Sequence, residues 1–112
     1  MIPAPLLVGL GGVAGALCRF LVDDAVTGER GTVVVNVLGS VVLGAVTVSL
    51  DGTAALALGT GFCGAFTTFS SLAVTVAARL ESGAYRGALR YGGGVLVLAL
   101  VGVWVGRTLA AV

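Results

Sequence analysis

The chain has 112 residues, 58% of them hydrophobic and only 10% charged, with 19 glycines, a net charge of +1 and a mean hydropathy of +1.15. That leaves too little polar surface for a water-soluble domain, so a soluble enzyme is set aside, and no nucleophile and base pair is visible. Histidine is absent and every basic residue is an arginine, scattered along the chain, so neither a zinc or haem ligand set nor a nucleic-acid footprint is present.

Uncharged stretches run from Met1 to Cys18, Gly31 to Leu50, Gly52 to Ala78 and Tyr91 to Gly106. A bilayer crossing takes roughly 20 apolar residues, or as few as about 17. The sequence therefore predicts an all-α membrane protein, a single four-helix transmembrane domain over residues 1–112. Helix 1 is expected over about 4–22, with proline tolerated in its first turn. No Lys or Arg precedes its apolar run and three more hydrophobic segments follow, so it reads as a retained crossing and not a secretory leader. Asp23 to Arg30 reads as a short loop, followed by helix 2 over about 32–50. The Asp51-Gly52 turn is short enough that helix 3, about 54–80, returns antiparallel beside helix 2, and helix 4 takes about 88–110.

Lipid gives helices no hydrophobic reason to associate, so close packing falls to small residues. Gly11 and Gly15, Ser40 and Gly44, and Gly102 and Gly106 are such pairs at helical spacing. Cys18 and Cys63 read as small apolar packing residues. Four short helices make a thin bundle with scant room for a sealed pathway, which points to an oligomer, most simply a dimer.

Polar groups inside the apolar segments need a reason, because an unpaired one in hydrocarbon costs several kcal/mol by rough estimate. Thr32, Asn36, Ser40 and Thr47 share one face of helix 2. Amide and hydroxyl donors in such a stripe can replace part of an anion's hydration shell without trapping it. Asn36 carries that reading; Thr32 and Thr47 read as hydroxyls bonded back to their own backbone. In helix 3, the run from Gly61 through Phe62, Gly64, Phe66, Thr67, Thr68, Phe69 and Ser70 to Ser71 predicts a break over about 61–68, near mid-membrane. Breaks free backbone carbonyls, which can hold Na⁺ with no acidic ligand. Arg19, at the end of helix 1, either snorkels to the interface or pairs with Asp23 or Asp24, or else supplies a vestibule charge that draws anions in.

Three blocks, in order, carry a family resemblance: Gly11 to Phe20, Gly31 through Asn36 to Ser40, and Gly61 to Ser71 with its Thr-Thr-Phe-Ser core. By these the chain resembles the Fluc/CrcB family of fluoride channels over essentially its whole length. The resemblance implies passive, selective F⁻ export from the cytoplasm across the cell membrane. It also implies an antiparallel dimer with two narrow pores and a structural Na⁺ at the dimer centre. The implied Na⁺ ligands are the backbone carbonyls of Gly64 and Thr67 from both subunits. The implied pore residues are Asn36 and Phe69, with Ser40, Thr68 and Ser71 beside them, and Arg19 is the vestibule arginine. The family's second pore phenylalanine is Leu72 here.

Arg19, Arg30, Arg79, Arg86 and Arg90 belong to the side of the connections after helices 1 and 3, with only Arg107 opposite. By the positive-inside rule this side is cytoplasmic and both termini lie outside. A homodimer inserting both ways would carry nearly equal basic charge on its two sides. The bias and Leu72 together therefore motivate a heterodimer with an oppositely oriented homologue as the alternative to a homodimer. This subunit would then carry little flux of its own. A small multidrug-type exporter needs a membrane-embedded carboxylate, and Asp23, Asp24, Glu29, Asp51 and Glu81 all read as loop or helix-end residues.

Overall fold

The computed structural model describes residues 2–112, and among them every regular element is helical. Helix α1 spans Ala4–Ala25 and α2 spans Glu29–Ser49. The third crossing, Gly52–Glu81, is 30 residues long and composite. It begins as α3 (Gly52–Ala55), widens into a π-helix (Leu56–Cys63), tightens to α4 (Gly64–Phe66), breaks, and resumes as α5 (Phe69–Glu81). The final crossing is α6, Tyr85–Ala111. All four crossings are long and apolar enough to span a membrane. Each connection turns on a glycine at positive φ (Gly28, Gly52 and Gly83), a conformation that costs other residues more.

The helices extend further than hydropathy predicts. α1 continues through Asp23 and Asp24 to Ala25, and α2 starts at Glu29, so the loop expected over Asp23 to Arg30 shrinks to residues 26–28. α6 starts at Tyr85, before the apolar run that marks it. Apolar length reports what the hydrocarbon core demands, whereas backbone hydrogen bonding carries on into the headgroup zone, where charges stay solvated.

Two seams hold the bundle: α1 against the π-helical stretch, and α2 against α6. In the first, a Cβ on Gly11 or Gly15 would strike the backbone carbonyl of Ala57 or Phe62. In the second, a Cβ on Gly44 or Gly106 would strike that of Val103 or Val41. The chains therefore meet backbone to backbone, as small-residue packing in lipid requires. Few large side chains are enclosed: Val35, Val46, Cys63, Phe66 and Val95 are buried, while Leu10, Leu17, Leu100 and Trp104 face outward, as lipid-facing residues do.

The break falls at Thr67 and Thr68, both extended, with φ/ψ of −80°/162° and −143°/111°. This lies at the C-terminal end of the 61–68 stretch in which the sequence places the interruption. Gly61 lies in the π-helix and Gly64 has helical φ and ψ, so the glycines widen or continue the helix without ending it. The threonines end it for two reasons. Their β-branched side chains suit extended backbone. The Thr68 hydroxyl also accepts the Ser71 amide at 3.2 Å, making Thr68 the N-cap of α5.

Candidate functional site

A break in mid-span leaves amides and carbonyls that the helix no longer pairs. One side chain from α2 takes two of them. The Thr68 amide donates to Asn36 Oδ1 at 2.7 Å, and Asn36 Nδ2 donates to the Thr68 carbonyl at 3.1 Å. Both residues are buried, so these bonds form where water does not compete. A carboxamide carries two N–H donors, and this arrangement uses one; the other remains for a ligand. Asn36 is itself anchored where its main-chain carbonyl accepts the Ser40 hydroxyl at 2.7 Å.

The break also frees carbonyls on its N-terminal side. In an unbroken helix the Gly64 carbonyl would receive the Thr68 amide, but that amide is committed to Asn36. Gly64 is exposed, with open space beyond its Cα. The Thr67 carbonyl receives Arg19 Nη1 from α1 at 3.4 Å, a long bond that leaves a lone pair over. Arg19 thus reaches the break in helix 3; among the described residues it forms no ion pair with Asp23 or Asp24. Two neutral carbonyl oxygens three residues apart are hard donors that suit a hard monovalent cation such as Na⁺, so this donor set fits the ion implied by the resemblance.

Two cavities adjoin the break, one lined by both members of the Asn36–Thr68 link and the other by the serines that Thr68 bonds. The first, about 360 Å³, is lined by Asn36, Ser40, Thr67, Thr68, Phe69 and Leu72, with an apolar wall of Val95, Leu96 and Ala99 from α6. The second, about 380 Å³, is lined by Glu29, Thr32, Ser70, Ser71 and Thr75. Thr32 sits one turn before Asn36 on α2, and the Ser71 hydroxyl accepts that of Thr68 at 3.2 Å. Donor groups thus run from one cavity to the other through the break. Because Ser71 accepts from Thr68, its own proton is uncommitted.

Asn36, Ser40, Thr67, Thr68 and Phe69 converge on the first cavity, with Ser71 just across the link. Phe69 is 81% exposed, held at the cavity edge by this chain but not covered by it. Leu72 lines the same wall. Thr47 is elsewhere, donating to the Gly44 carbonyl and accepting Arg107. Ser70, Thr75 and Glu29 join the second cavity although sequence reasoning does not select them. Ser71 and Thr75 are four apart on α5, a spacing from which the hydroxyl stripe can be read.

The family profile described as CrcB-like protein, Camphor Resistance (CrcB), matches residues 6–107. A protein of Methanosarcina mazei named fluoride-specific ion channel FluC 2 is 45% identical over 109 residues, covering 92% of this chain and 83% of that protein. A protein of the same name from Natronomonas pharaonis is 44% identical over 109 residues, covering 95% and 93%. One named fluoride-specific ion channel FluC, from Prosthecochloris aestuarii, is 40% identical over 120 residues, covering 97% and 94%. With the profile spanning nearly the whole chain and four membrane-crossing helices that meet at a broken third one, this protein belongs to the CrcB family.

Proposed function

We propose that this chain is a subunit of a fluoride-selective channel that lets F⁻ leave the cytoplasm passively, down its gradient, and so lowers its toxic concentration. The observation that carries the reading is the broken third crossing clamped by Asn36, which sets donor groups between two cavities inside an apolar protein. The names of the relatives supply the ion. An anion shedding water at this point would meet the second Asn36 N–H, the Ser71 hydroxyl and the positive edge of the Phe69 ring, with Thr68 and Ser40 completing the wall. The smallest halide gains most from closely spaced donors, and a narrow path excludes Cl⁻ by size.

The working unit is an antiparallel dimer. Phe69, uncovered here, would complete its path against the second subunit. The carbonyls of exposed Gly64 and half-buried Thr67 from both subunits would hold one structural Na⁺, which fixes the two broken helices together and is not transported. Arg19, beside Thr67, places a positive charge at the vestibule. By its arginine bias this chain's Arg-rich end faces the cytoplasm and its two termini face outward, an orientation that its antiparallel partner reverses. Leu72 on the cavity wall and the one-sided arginines favour a second reading of the assembly, in which an oppositely oriented homologue supplies the aromatic that position 72 lacks.

The test is efflux, read with a fluoride electrode, from liposomes holding the purified chain in Na⁺, with chloride as control. Fast fluoride-only release is expected from a self-sufficient homodimer. Release only after co-reconstitution with a homologue identifies a heterodimer. Comparable Cl⁻ and F⁻ release would sink the fluoride reading.

A further inference from the structure

The second cavity holds one ionisable side chain, Glu29, among hydroxyl and apolar neighbours. A carboxylate at the mouth of an anion path repels what the hydroxyls would bind. It is not alone: Arg79, from the last turn of α5, pairs with Glu29 Oε1. The same guanidinium donates to the Gly87 carbonyl at 2.9 Å and lies 5.0 Å over the Tyr91 ring. Partners on α2 and α6 hold its plane on two sides, so it cannot swing away from Glu29 as a free surface arginine would. Resting on the fluoride-channel reading, we propose that the Glu29–Arg79 pair sets the charge of the hydroxyl-lined cavity and thereby the rate at which anions enter it.

The pair is part-exposed, 32% for Arg79 and 47% for Glu29, so its share in stability is small. Its consequence is the local field. With both partners present their charges cancel. Arg79→Gln leaves a bare carboxylate there, and Glu29→Gln leaves a fixed cation. Charges lining a cleft alter the local concentration of a charged ligand, and the effect fades once the Debye length drops below the cavity's dimensions. The Debye length is about 30 Å at about 0.01 M salt and about 3 Å at about 1 M.

The experiment is the initial fluoride efflux rate per folded protein, in the assembly that conducts, at these two ionic strengths set with an impermeant sodium salt. At low salt E29Q should run faster than the parent and R79Q slower, each by about threefold or more. The double variant E29Q/R79Q should return to the parent rate, and all four proteins should converge at high salt. A pair that only staples helices predicts E29Q no faster than the parent and insensitive to salt, which would overturn the inference even where R79Q fails to fold. If the parent conducts fluoride and the four proteins run alike, the inference alone fails. A parent that releases no fluoride, with or without a homologue, removes the channel reading and this inference with it.

Discussion

The third crossing departs from α-helical geometry twice, and the two departures differ in what repairs them. In the π-helix Leu56–Cys63 the chain stays wound and only its pitch changes, and the segment packs by backbone contact on Gly11 and Gly15 of α1. At Thr67 and Thr68 the winding stops, and the exposed backbone groups are taken up by side chains from other helices, Asn36 of α2 and Arg19 of α1. The first irregularity serves packing and needs glycine opposite it. The second creates polar groups in the interior and needs a carboxamide opposite it. Only the second leaves donors and acceptors over for an ion.

The break depends most on Asn36. Asn36→Ala removes both bonds to Thr68 and strands a buried amide and carbonyl, each at a cost of about 1–3 kcal/mol. The fold should lose about 4 kcal/mol in total, and fluoride efflux per folded protein should drop by more than about tenfold, because the spare N–H goes too. Thermal unfolding in detergent and liposome efflux check the two parts separately. Gly15→Val attacks the other departure. Its side chain would collide with the Phe62 carbonyl, and overpacking of this kind costs about 1–3 kcal/mol. Unfolding temperature should fall, while protein that does fold should keep its preference for F⁻ over Cl⁻. A change in selectivity would show that the α1 seam sets the path as well as the packing.

The asymmetry also explains what was legible in the sequence. Four apolar runs separated by charges state the number of crossings, because the bilayer imposes one length on each. The glycine pairs, which indeed sit at backbone contacts, are legible because nothing larger fits. Asn36 is conspicuous since an amide in lipid must have a partner, but its partner, the backbone of Thr68, lies 32 residues away and leaves no mark in spacing. The sequence brackets the break within 61–68, but glycine propensity points to Gly61 and Gly64, where the helix continues, and not to the threonines that end it. A π-helix can absorb glycines that lie against another backbone, whereas an N-cap threonine enforces an extended residue whatever precedes it. Hydropathy marks the helix ends short because it is silent where the lipid stops. Glu29, Arg79 and Tyr91 converge through tertiary packing alone, from three helices.

The finest test concerns Ser40, which shares the first cavity with Asn36. A hydroxyl has one proton. Ser40 spends its proton on the Asn36 carbonyl one turn back, at 2.7 Å, whereas the Ser71 proton is uncommitted because Ser71 accepts from Thr68. For Ser40 to donate to F⁻ it must first give up the bond within its own helix. Ser/Thr bonds of this kind add little to a helix, so Ser40→Ala should change stability by less than about 0.5 kcal/mol. Its fluoride efflux should stay within about twofold of the parent, whereas Ser71→Ala should slow it by more, since that change removes a proton available to the ion. If Ser40→Ala slows efflux as much as Ser71→Ala, the hydroxyl does turn toward the ion during passage. The division between polar groups that mend the helix and polar groups that meet the anion would then lie deeper in α2 than the break itself.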